Sequence, residues 1–170
     1  MSLRTKSPTS PTSSTSPISP TGSLDAVVET ARRHRAQLRE SADALEAALA
    51  APVPGRATRW VERVHAAMAE LSADFREHIS VTEGPQGLYA GLLATEPRLS
   101  PGVRSLVEEH VSLRLEVEGV LAAMEGSGSV ATAAVLRERG TVLLGHLVRH
   151  RQRGADLVYE AYEVDIGGSG

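Results

Sequence analysis

Apolar residues recur every three or four positions along four long stretches of this chain, the spacing that lines them up on one face of a helix. Between residues 24 and 50 the seam is Leu24, Val27, Ala31, His34, Leu38, Leu45 and Leu49, and between 58 and 83 it is Val61, Val64, Met68, Leu71, Phe75 and His78. A third seam, Val103, Leu106, His110, Leu113, Val117, Val120 and Met124, follows Ser100-Pro101. The fourth, between 130 and 162, carries Leu143, His146, Leu147, His150, Leu157 and Ala161. Helix breakers or caps stand at the boundaries: Ser23 as an N-cap, Pro52-Val53-Pro54-Gly55, Gly84-Pro85, and Gly126-Ser127-Gly128-Ser129. A shorter helical segment over 86–94 contributes Leu88, Tyr89, Leu92 and Leu93. No stretch reads convincingly as a strand. Four amphipathic helices with short connections predict an all-α, up-down-up-down four-helix bundle.

The pattern fails at the N-terminus. Residues 1–23 are Ser, Thr and Pro almost throughout and hold four of the nine prolines. Such a segment has too little apolar surface to offset its ordering entropy, so a disordered tail over 1–23 and a bundle over 24–165 are expected. Cysteine is absent, which excludes disulfides, thiolate zinc sites and c-type haem attachment. A net charge of −3 weighs against nucleic acid as a partner. The basic clusters Arg32-Arg33 and Arg149, Arg151 and Arg153 read as solvated helix faces paired with nearby Glu. Neither a membrane span nor a signal-peptide core is evident, so the expected location is the cytoplasm, with no membrane partner.

The seams carry an unusual number of histidines. Of the six in the chain, His34, His78, His110, His146 and His150 fall on apolar faces, and every long helix supplies at least one; His65 lies beside its seam. His146 and His150 are four apart, hence one turn apart on one helix face. A buried polar group without a partner costs about 1–3 kcal/mol, and a shared metal ion satisfies several imidazoles at once. Counting residues from the helix ends puts His110 level with His146, since both stand about 15 residues from their common turn at about 1.5 Å per residue. The same count leaves His34 and His78 about one turn, roughly 6 Å, out of level. Imidazole ligation suits iron, zinc, copper or nickel, and carboxylates bias it toward iron. The nearest carboxylate, Glu83, is five residues after His78; the Gly84-Pro85 break can distort the last turn and aim it inward. Glu62 and His65 match the ferritin-like Glu-x-x-His spacing once, where that fold needs it twice.

With these residues in place the chain, over about 24–163, resembles the hemerythrin-like (HHE-type) proteins. The resemblance implies a four-helix bundle around a non-haem di-iron centre, with His34, His78, His110 and His146 at the four histidine positions and His150 at the second position of the last helix. It also implies two irons per chain and a small ligand: oxygen, nitric oxide or peroxide. Binding, sensing and peroxide decomposition of a catalase-like kind all remain open as activities. The sequence departs from the family pattern in two places. Thr82 stands four after His78 where the family has a carboxylate, which leaves Glu83 as a substitute, and no carboxylate follows His146 at four or five residues. Tyr89, Tyr159 and Asp156 are candidate ligands or supports for ligands. Two rival expectations accompany this one: a metal-free helical interaction protein whose tail is the working part, and a mononuclear zinc bundle.

Overall fold

In the computed structural model of the chain, residues 20–53, 57–125 and 130–167 are described. Four long helices are present among the described residues: α1 (Pro20–Ala50), α2 (Thr58–Glu83), α4 (Ser100–Met124) and α5 (Val130–Gly167). A short helix, α3 (Leu88–Thr95), and one 3₁₀ turn, Pro97–Leu99, join α2 to α4. No strand occurs among the described residues. The expected four-helix bundle is therefore observed. α1 starts three residues ahead of Ser23, at Pro20, a residue whose fixed φ and missing N–H suit the first helical position. Most of the expected tail lies outside the described residues. No helix is long and apolar enough to cross a membrane among the described residues.

The helices pack as a closed ring in chain order, α1 against α2 and α5, and α4 against α2 and α5. Neighbours are antiparallel. Arg137 near the start of α5 donates to the carbonyls of Leu49 and Ala51 at 2.7 and 3.0 Å, at the end of α1. Trp60 Nε1 also donates to Ala51 O, at 3.1 Å, and the Arg137 guanidinium lies 5.4 Å from the Trp60 ring centre. Leu49 O, one of the last carbonyls of α1 and without a partner in its own helix, and Ala51 O just beyond the helix are satisfied in this way. At the other end Tyr162 donates to Asp25 at 3.2 Å, and Arg98 forms an ion pair with Glu160.

The core is split in two. One apolar cluster runs through Leu38–Leu49, Trp60–Phe75, Leu113–Met124 and Ala133–Leu147. The other gathers Val28, Ala31, Leu88, Tyr89, Leu92, Leu99, Val103, Leu106, Leu157, Val158 and Ala161. Between them each long helix has one gap in its apolar run, and the gaps are occupied by His34 and Arg35 on α1, His78 on α2, His110 on α4 and His150 on α5. The histidines thus form a polar layer across the waist of the bundle.

Candidate metal centre

His78, His110 and His150 are 4%, 1% and 2% exposed. Each reaches the waist from the inward stripe of its own helix, and Phe75, one turn before His78, packs against all three rings at centroid distances of 6.1, 5.7 and 6.4 Å. Tyr89 stacks on His110 at a centroid distance of 6.0 Å. The inner nitrogens converge: His110 Nε2 is 3.0 Å from His150 Nε2, which is 3.4 Å from His78 Nε2. Three buried histidines, with one ring nitrogen from each within 4.8 Å of the others, stand close enough to hold a metal ion.

The outer nitrogens fix how the rings are protonated. His110 Nδ1 lies 2.5 Å from Glu83 Oε1, and His150 Nδ1 lies 2.9 Å from Glu109 Oε2. An ionised carboxylate only accepts hydrogen bonds, so both Nδ1 atoms carry the hydrogen and both Nε2 atoms present lone pairs. Two lone pairs 3.0 Å apart repel unless a cation lies between them. His78 Nδ1 is buried with no hydrogen-bond partner. Around an ion with metal–nitrogen bonds of about 2.0–2.1 Å, two ligand nitrogens stand about 2.9 Å apart at a right angle and about 3.3 Å apart at a tetrahedral angle. The 3.0 and 3.4 Å separations fit such an edge set, and the carboxylates behind His110 and His150 are the usual support of a metal-binding histidine.

Burial, then the neighbouring histidines His110 and His150, pushes the His78 pKa down to about 3, and burial followed by His150 does the same to His110. His150 is also lowered by burial, against the opposing pull of Glu109. All three are therefore neutral imidazoles, the form that binds metals. Burial raises the Glu83 carboxyl, with Arg114 acting the other way. Burial also raises the Tyr89 phenol, with the Thr82 side chain acting the other way. The Thr82 hydroxyl donates to His78 O at 2.8 Å, so it serves the backbone of its own helix rather than the inner nitrogens.

The remaining sequence candidates are placed elsewhere. His34 is half-buried on α1, within electrostatic reach of His78 but outside the three-histidine group. His146 is 37% exposed, and its Nδ1 donates to Glu116 at 2.7–2.8 Å. Turn-end counting set His110 level with His146; in the fold His110 faces His150, one turn further along α5. Gly102 lies against Leu157, His110 against His150 and Glu116 against His146, a register in which the first turn of α5 overhangs the end of α4. Glu83 is brought to the layer but meets His110 Nδ1, on the far side of the ring from the converging nitrogens. Asp156 is exposed and accepts from Gln152 at 2.8 Å, and Tyr159 is 66% exposed.

Sequence reasoning missed Glu109, Glu116 and Arg35. Glu109 and Glu116 are seven apart on α4, hence on one side of its seam, opposite the α5 pair His150 and His146. That flanking position is the available signal, because residues beside a seam face the neighbouring helix. Comparison of the chain with protein-family models, with curated proteins and with solved structures returned no match.

Proposed function

We propose that this is a non-haem iron protein of the hemerythrin-like kind, holding iron at the nitrogens of His78, His110 and His150 and taking a small ligand there: oxygen, nitric oxide or peroxide. The observation that carries the proposal is the pairing of each outer Nδ1 of His110 and His150 with a carboxylate while the inner Nε2 atoms face one another without a donor between them. Bound iron would supply a Lewis-acidic, redox-active centre with positions open to such a ligand. The chain's own residues orient and enclose it. Glu83 and Glu109 hold the rings of His110 and His150 and raise the basicity of their inner nitrogens. Phe75 and Tyr89 cover the rings and keep water from them. The converging nitrogens favour one ion; two irons per chain would need His34 and the His146–Glu116 pair to turn inward as well.

The test is metal analysis and an absorption spectrum of the full chain, as purified and after anaerobic ferrous loading. Stoichiometric iron with near-ultraviolet charge-transfer bands that change on exposure to oxygen, nitric oxide or peroxide is the expected result. A colourless protein that takes up no iron refutes it, and tight stoichiometric zinc without iron uptake replaces iron with zinc.

A further inference from the structure

Arg35 is the charged residue that α1 brings to the waist, and it has two faces. Toward the interior it is within electrostatic reach of His78 and Tyr89. Toward the outside it lines a groove of about 570 Å³ between α1 and α5, together with Arg39, Arg151 and Gln152. Grooves of roughly 300–1,000 Å³ take small molecules. Arg39 is engaged at 3.6 Å by Asp43, which with Glu40 lines the same groove. Arg35 and Arg151 have no carboxylate at ion-pair distance among the described residues. The surroundings of Arg35 are adverse for a cation: burial first, then the Arg32 charge, hold its pKa below the ordinary arginine value, Arg151 adds to this, and only Tyr89 opposes it. A half-buried guanidinium kept beside other arginines has an unmet need for negative charge, and its planar fork matches a carboxylate or phosphate.

We propose that the α1–α5 groove binds a small oxyanion, of the phosphate or carboxylate type, between Arg35 and Arg151. The site is distinct from the three-histidine centre and needs no metal, so it stands or falls separately from the iron proposal. Through Arg35 it adjoins the polar waist, and its occupant would lie outside the ring of ligands rather than on the ion. Glu40 and Asp43 at one end limit how much negative charge the groove accepts, which favours a compact anion over a polyanion.

The experiment is a titration of metal-free full-length protein with inorganic phosphate, and separately with acetate, at constant ionic strength, read by NMR at the arginine Nε–Hε groups. Saturable shifts at Arg35 and Arg151, weakened at least about tenfold in Arg35→Gln and in Arg151→Gln with circular dichroism unchanged, are expected for loss of a charge-assisted contact. Arg33→Gln, on the exposed side of α1, should bind as the unaltered protein does. The relative response to phosphate and acetate identifies the anion type. Shifts reproduced by chloride, or equal in the Arg35→Gln, Arg151→Gln and Arg33→Gln proteins, would overturn the proposal. If Arg35→Gln does not fold, Arg151→Gln alone decides.

Discussion

Glu109→Gln separates support of a metal ligand from ordinary helix packing. Glu109 receives His150 Nδ1–H on one oxygen at 2.9 Å and forms an ion pair with Arg153 through the other, Nε to oxygen 2.9 Å, and its side chain is 18% exposed. Glutamine keeps the shape and can still accept from His150, but the negative charge behind the imidazole is lost. Loss of such a support lowers metal affinity by about 10–100-fold, or about 1.4–2.7 kcal/mol. The metal-free fold should lose no more than about 1 kcal/mol, because one charge-assisted hydrogen bond becomes a neutral one. Affinity is measured by anaerobic competition of ferrous ion between the protein and a chromophoric chelator, and stability by denaturant unfolding of the metal-free protein. Glu116→Gln is the control: Glu116 backs His146, at the rim, and its loss should change affinity by less than about threefold, well short of the effect of a supporting carboxylate. Unchanged affinity in Glu109→Gln would refute the role assigned to His150. An equal loss in Glu116→Gln would move the centre to His146.

Other perturbations probe the same layer. His110→Leu should abolish metal uptake, yet leave the metal-free protein as stable as before or more so, because it removes a lone-pair contact and leaves Glu83 partly solvated, at 31% side-chain exposure; marked destabilisation of the metal-free variant would contradict this. Metal-free protein should lose stability in acid. His78 and His110 have folded pKa values of about 3, below the unfolded value, so the unfolded chain binds more protons and stability falls as pH drops from about 6.5 toward 3, by up to about 1.4 kcal/mol per pH unit for each ring. Glu83, raised by burial, works in the opposite direction over the carboxylate range. Unfolding curves that are superimposable from pH 7 to pH 4.5 would show that the two rings are not held neutral. Phe75→Ala removes a side chain that is 1% exposed and covers all three histidines, and should cost about 3–5 kcal/mol in chemical denaturation. Gly119→Ala places a methyl where no atom lies within 4 Å and should stabilise α4 by about 0.5–1 kcal/mol, seen as a raised Tm.

Much of the fold was legible because its determinants are local. The period of the apolar residues set four helices, and Gly84-Pro85 and Ser100-Pro101 marked boundaries that the structure places within a residue or so. The placement of the site was less so, because it depends on how far one helix slides along another. A slide of one turn keeps the apolar seams of α4 and α5 in contact but exchanges which histidine faces His110, and the seams alone do not tell His146 from His150. The distinction comes from side chains beside the seam: Glu109 meets His150 and Arg153, and Glu116 meets His146, pairings that fit only one register. Arg35 was hidden for a related reason. It stands next to His34, and both side chains are half-buried in the same gap of α1, whereas the apolar period places only His34 on the seam.

A polar layer kept only for structure would be expected to satisfy itself, with each imidazole donating to the next and none of its nitrogens left over. Here the polarity is reversed. The nitrogens facing outward on His110 and His150 are satisfied by carboxylates, and those facing inward meet as lone pairs. Leucine at the three positions would join the apolar clusters on either side into one continuous core and remove the orphaned His78 Nδ1. The bundle instead carries a buried, half-satisfied network, which is less stable than an apolar one of the same shape. The stabilising apolar packing lies on both sides of the layer and does not depend on it, so the fold can tolerate this cost while no cation is bound. Binding a cation would then relieve the lone-pair contact and link the three helices at once. The metal-bound protein should accordingly gain stability in proportion to its affinity, and that gain should disappear in His110→Leu while the metal-free baseline stays.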